Sequence, residues 1–228
     1  MPKYLIHCCP HRLWYVRDFL IPSMVKQGIS SDDIFLYQDT NGLGNLRAYI
    51  DSCNKLVNQC RKNGIDGVWH LQDDVVICND FAERTKQYDD GLVCGFTCAY
   101  DNKPVPGKFK VFEEKMWFSF PCIRIPTNIL TDFVNWANVN LWQSKHFRIM
   151  VKLNKGDDLI FREWLYDNYF NESALNLAPN LVNHIDKLIG GTICNTQRDA
   201  DQDTMSIFWE DDTIIEDLKK ALDEYQNI

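Results

Sequence analysis

Short apolar runs alternate with stretches of helical period along the first hundred residues, and this alternation restricts the fold more than any other feature. Residues 3–9, KYLIHCC, stop at Pro10 and read as a buried strand. Residues 12–27 read as a helix with Leu13, Val16, Phe19 and Leu20 on one face and a kink at Pro22. Residues 33–37 form a second apolar run. Leu46, Tyr49, Ile50, Cys53, Leu56, Val57 and Cys60 then recur at helical spacing, and Gly64 suits the end of that helix. Residues 67–78 read as a third strand, 80–90 as a short helix and 91–100 as a further strand. Parallel neighbours need a crossover, usually a helix, so strands that alternate with helices predict an α/β fold. The expected architecture is a doubly wound, mostly parallel but mixed sheet flanked by helices.

The second half is less periodic. Residues 101–110, DNKPVPGKFK, read as a loop from their Pro and Gly content. Residues 115–125 read as a strand, and Thr127 is placed to cap a helix running to about residue 142. Residues 157–170 and 210–228 read as helices, while 178–209 carry few periodic signals. The chain has 228 residues, 45% of them hydrophobic, with seven Trp and thirteen Phe, enough for one sizeable domain with its own core. A single domain over 1–228 is expected, with 1–100 as a first half, 101–209 as a second half with a lid, and 210–228 as a packing helix.

The segment GVWHLQDDVVIC, residues 67–78, sets the functional question. An unpaired carboxylate is costly to bury, yet Asp73 and Asp74 stand in an apolar run. Asp is common in turns after strands, which is one explanation. The other is a hard divalent cation, which two carboxylates at a strand end can hold together with waters and phosphates. In a doubly wound sheet this position faces the ligand crevice beyond the carboxyl ends of the strands.

These residues, with others in order along the chain, resemble the GT-A class of nucleotide-sugar glycosyltransferases, a Rossmann-like architecture. Gln72-Asp73-Asp74 looks like that class's short acidic motif, with an amide at one acidic position. The resemblance implies a nucleoside-diphosphate sugar as donor, a UDP-sugar first, and transfer to an acceptor hydroxyl with inversion. It implies Mn²⁺, or Mg²⁺, held by Asp74 and by His184 of the Pro179-Asn180-Leu181-Val182-Asn183-His184 run. Asp73, His11, Arg12 and Asp39 would contact the sugar or nucleoside, and Arg47, after Gly42-Leu43-Gly44, would reach the diphosphate. Lys187 and Arg198 would neutralise the leaving group from the lid. Trp117 and Phe118 would line the acceptor pocket. Asp158, in Gly156-Asp157-Asp158, would take the acceptor proton while Asp157 orients the acceptor. A glycan, a protein, a small molecule or a modified DNA base could each serve as acceptor.

Two other classes remain open on sequence. A metal-dependent phosphohydrolase, nuclease or nucleotidyltransferase could use His70, Asp73, Asp74, Asp157 and Asp158, with His7 and His11 nearby. A non-enzymatic binding module would leave both acidic pairs as solvated caps. The net charge of -8 disfavours general polyanion binding. The nine cysteines are scattered through apolar segments without a CxxC pair and read as reduced core residues. No signal peptide and no membrane span is read from the sequence, so a cytoplasmic protein of bacterial or viral type is expected.

Overall fold

The computed structural model describes residues 1–97, 105–113, 116, 120–141, 143–145, 148, 157–189, 209 and 212–226. Strand β1, Lys3–Cys8, leads through a 3₁₀ turn at Pro10–Arg12 into α1, Leu13–Tyr15, a π-helical turn at Val16–Leu20, and α2, Ile21–Lys26. The expected irregularity at Pro22 takes the form of the π-helical turn just before it, where Ile21 N–H donates to Val16 O. Strand β2, Ile34–Gln38, is followed by α3, Asn45–Asn63, which ends at Gly64 in the left-handed region with φ 63°.

The acidic segment folds as two strands rather than one. Strand β3, Gly67–Gln72, turns at Asp73-Asp74, and β4, Val75–Ile77, leaves the main sheet for a second one. Helix α4, Phe81–Gln87, and β5, Leu92–Cys94, follow. Of the residues read as a loop, Gly107–Lys110 form strand β6, the edge of the main sheet. Its alternating half-buried pattern was masked in sequence by the preceding prolines. Strand β7 is Cys122–Pro126, shorter than expected, and α5 is Thr127–Trp136, extended by a π-helical turn at Ala137–Leu141. Thr127 does not cap α5. Its hydroxyl donates to the Ile65 carbonyl at 2.5 Å instead. Helix α6 is Asp157–Asn168, β8 is Ser173–Asn176, β9 is Val182–His184 and α7 is Asp212–Gln226. The sequence reading missed β8 and β9, which are too short to show a period.

The main sheet has the order β2-β1-β3-β7-β5-β8-β6. Strands β1, β2 and β3 are parallel, as are β5 and β8. Strand β7 is antiparallel to β3 and β5, and β6 is antiparallel to β8. The sheet is thus mixed, with most strands in one direction, as expected. Alternation along β1 and β3 feeds two cores. Tyr4, Ile6, Cys8, Trp69 and Leu71 pack with Tyr15, Val16, Leu20, Phe81 and Leu218 of α7. Leu5, Val68, Ile123 and Ile125 face α3, α5 and α6 through Cys53, Leu56, Phe133, Phe161 and Trp164.

The chain passes from β1 to β2 on one side and returns through α3 to β3 on the other. The strand order therefore reverses at β1, and the loops that follow β1 and β3 lie side by side. A second junction holds the segments around those loops. Gly95 N–H donates to Cys122 O at 2.9 Å, and its carbonyl accepts from Leu181 at 2.7 Å. A Cβ at Gly95 would stand 2.8 Å from Cys122 Sγ and 2.9 Å from a Leu181 methyl. Gly95→Ala is expected to destabilise the protein by about 1–3 kcal/mol through overpacking, measured as a lower urea midpoint with an unchanged m-value.

Candidate active site

The site is built where the two loops meet. Asp73 and Asp74 occupy the turn between β3 and β4, and both are buried, at 6% and 8% exposure. Arg12, at the end of the 3₁₀ turn after β1, is buried as well. Its Nη1 donates to Asp73 Oδ1 at 3.0 Å and also to Asp74 Oδ2. Asp73 Oδ2 accepts from the Cys9 backbone N–H at 2.6 Å. The loop after β1 therefore grips the first carboxylate through both backbone and side chain.

His184 arrives from the other half of the chain. Strand β9 pairs antiparallel with β4, setting His184 opposite Val75, and Ile185 N–H donates to Asp74 O at 2.8 Å. His184 Nε2 lies 3.1 Å from Asp74 Oδ2, and Nδ1 lies 3.4 Å from Asp186 Oδ1. The preceding loop is pinned by Arg84, which donates to the carbonyls of Pro179 and Asn180, and by Asn180, which donates to Thr97 O at 2.9 Å.

The electrostatics separate the two aspartates. Burial alone would raise Asp74, but the charges of His184 and Arg12 and their hydrogen bonds hold its carboxyl down to about 2. Burial, and then the neighbouring Asp74 charge, raise Asp73 against the pull of Arg12 and the Cys9 N–H. Two adjacent acids with divergent affinities for a proton are characteristic of functional sites. Burial would lower the His184 pKa, but Asp74 and Asp186 outweigh it and raise it to about 9. The imidazolium with a carboxylate on each nitrogen is the favoured form.

The donor set can be tested against a divalent cation. One buried carboxylate oxygen, Asp74 Oδ1, has no hydrogen-bond partner. His184 Nε2 stands 3.1 Å from the other oxygen, Oδ2, and imidazole and carboxylate are suitable ligands for Mn²⁺. Among the described residues no three His, Cys, Asp or Glu side chains are arranged to hold a metal. The fit is to an ion held by one or two side chains and completed by waters and phosphates, the usual pattern for these ions.

Of the other expected residues, His11 is exposed in the 3₁₀ turn beside Arg12, and Lys187 is exposed in the turn Asp186–Ile189. Asp39 instead organises its own loop, accepting from Leu43 N–H at 3.0 Å and Gly44 N–H at 3.1 Å. Arg47 lies in the first turn of α3 and lines a surface depression of about 360 Å³ with Ile50, Asp51 and Asn54, none of which belongs to the cluster. Asp157 and Asp158 open α6, and their side chains lie outside the described residues, as do Trp117, Phe118 and Arg198. Ile160 of α6 packs with Leu46 and Ile50 of α3, which brings the start of α6 to the N-terminal half of α3.

His70 and His7 do not join the acidic pair. His70 faces α3, with Nδ1 3.3 Å from the Tyr49 hydroxyl, and burial followed by the charge of His7 lowers its pKa to about 3. The His7 ring sits against Tyr37 and Tyr49, and burial lowers its pKa to about 4. A two-metal centre built on these histidines has no basis in this geometry. Two partners escaped sequence reasoning: Asp186, two residues after His184, and the backbone N–H of Cys9, which no side-chain pattern signals.

No protein-family profile matches the chain, and no curated protein does. A solved structure, A197 from STIV, is similar with a TM-score of 0.44 and 15% identity over 81% of this chain and 86% of that one. No helix among the described residues is long and apolar enough to cross a membrane.

The imidazolium makes a pH prediction. A pKa raised from 6.5 to about 9 contributes stability that is complete below about pH 6.5 and lost as pH rises through about 9. The melting temperature is expected to fall over that interval. In Asp186→Asn the fall should be smaller and end at lower pH, because one carboxylate holding the proton is gone. Calorimetry across this range checks both, and identical profiles would remove Asp186 from the network.

Proposed function

We propose that the chain transfers a sugar from a nucleoside-diphosphate sugar to an acceptor hydroxyl. The observation that carries this reading is the convergence of Asp73, Asp74, Arg12 and His184 at the point where the strand order reverses, the position at which open α/β sheets take nucleotide ligands. The order of motifs along the sequence supports it. Asp74 and His184 would hold Mn²⁺ or Mg²⁺, which supplies charge neutralisation of the departing diphosphate. His184 ligates through Nε2 only as the neutral imidazole, so uptake of the cation releases a proton from that atom. Asp73, held by the Cys9 N–H, orients the donor.

His11 and Lys187, both exposed, would meet the donor's phosphates and ribose, as would Arg198. Asp39 acts at one remove by shaping the Gly42–Gly44 loop. Asp158 accepts the acceptor proton, Asp157 orients the acceptor, Trp117 and Phe118 offer aromatic faces to it, and the product is inverted. A UDP-sugar is the first donor to test.

Thermal unfolding with UDP, GDP, CDP, ADP or TDP, each with and without Mn²⁺, tests the reading. One nucleotide is expected to stabilise the protein only with Mn²⁺, by about 2.7 kcal/mol at one hundred times its Kd. Asp74→Asn should abolish that response. Stabilisation that persists in the variant, or no response to any nucleotide, would count against the assignment.

A further inference from the structure

The place a cation would take beside Asp73 and Asp74 is already served by a side chain. Arg12 Nη1 reaches both carboxylates, Cys9 N–H holds the second oxygen of Asp73, and His184 shares Asp74 Oδ2 with Arg12. Of the four carboxylate oxygens, only Asp74 Oδ1 is left without a hydrogen-bond partner. A divalent ion bound to Asp74 would stand against the guanidinium, and the two positive charges would repel at close range in a buried setting. The carboxylates cannot serve both fully.

A guanidinium that leaves a carboxylate needs another planar, bidentate anion, and a phosphate group provides one.

Resting on the reading of Asp74 and His184 as cation ligands, we propose that Arg12 is a resident counter-ion that keeps the cation site closed. It yields the carboxylates to the divalent ion when a diphosphate arrives to receive its guanidinium. The ion alone then binds weakly, and ion and diphosphate bind together. The coupling is reciprocal, so each raises the affinity of the other by the same factor. The arrangement also keeps two buried carboxylates from standing unpaired while the site is empty.

The test is Mn²⁺ binding by equilibrium dialysis, with and without inorganic pyrophosphate, on the full chain and on Arg12→Gln, Arg12→Lys and Asp74→Asn. Wild type should bind Mn²⁺ alone weakly and gain about tenfold or more with pyrophosphate, within the usual range for coupled sites. Arg12→Gln should bind Mn²⁺ alone about tenfold tighter than wild type and show little further gain. Arg12→Lys keeps the charge and so protects the fold. Its single ammonium holds two carboxylates less well, so its affinity for Mn²⁺ alone should fall between the other two.

Mn²⁺ affinity that is unchanged or weaker in both Arg12 variants overturns the proposal. If Asp74→Asn still loses Mn²⁺ in that case, the cation reading survives and only the role of Arg12 falls. If Asp74→Asn binds Mn²⁺ as wild type does, both fall.

Discussion

Two adjacent carboxylates are buried at the end of a central strand, and much of the surrounding structure answers the cost of putting them there. Asp73 and Asp74 are met by the Arg12 guanidinium, the Cys9 backbone N–H and the His184 imidazole. Removing any one partner would leave charge stranded in a low-dielectric setting, where truncating one member of a buried pair costs far more than the intact pair contributes. The cluster is therefore weak grounds for stability in itself.

The partners come from distant parts of the chain, and two features of topology bring them together. The reversal of strand order at β1 places the loops after β1 and β3 side by side, so Cys9 and Arg12 face Asp73. The departure of β4 into a second sheet creates a partner for β9, and that ladder delivers His184 to Asp74. Gly95 lies at the junction of both arrangements, accepting Leu181 on one side and donating to Cys122 on the other. A side chain there would push apart the segments that carry the site, so the absence of a Cβ connects packing to chemistry.

Two pairs of histidines show how environment divides one residue type. His7 and His70 lie beneath α3 among aromatic rings, where burial keeps them neutral. They help a strand with polar interruptions to pack, through contacts such as Tyr49 with His70. His184 is buried to a similar degree but stands between Asp74 and Asp186, and it holds its proton. His11 remains exposed in the 3₁₀ turn. Sequence position alone did not separate these fates, because the deciding partners are on other strands.

The alternation of apolar runs with helical periods was enough to predict an α/β sheet flanked by helices, since a 2.0 period and a 3.6 period are local properties of the chain. Gly64 as the end of α3 was readable from its place after the last periodic residue, whereas the break between β3 and β4 at Asp73-Asp74 was not, because residues 67–78 read as one strand. Strands β6, β8 and β9 were not readable. Each has only three or four residues, and their pairing depends on neighbours far along the chain. The loop role of Asp39 was equally hidden, because it depends on where two backbone N–H groups point. By itself the sequence determined which residues could carry charge at a strand end, because that requires only composition and spacing. Only the tertiary structure decided that Arg12 and His184 neutralise them and that His7 and His70 do not. Electrostatic partnership depends on distance in space and on burial, and neither is set by separation along the chain.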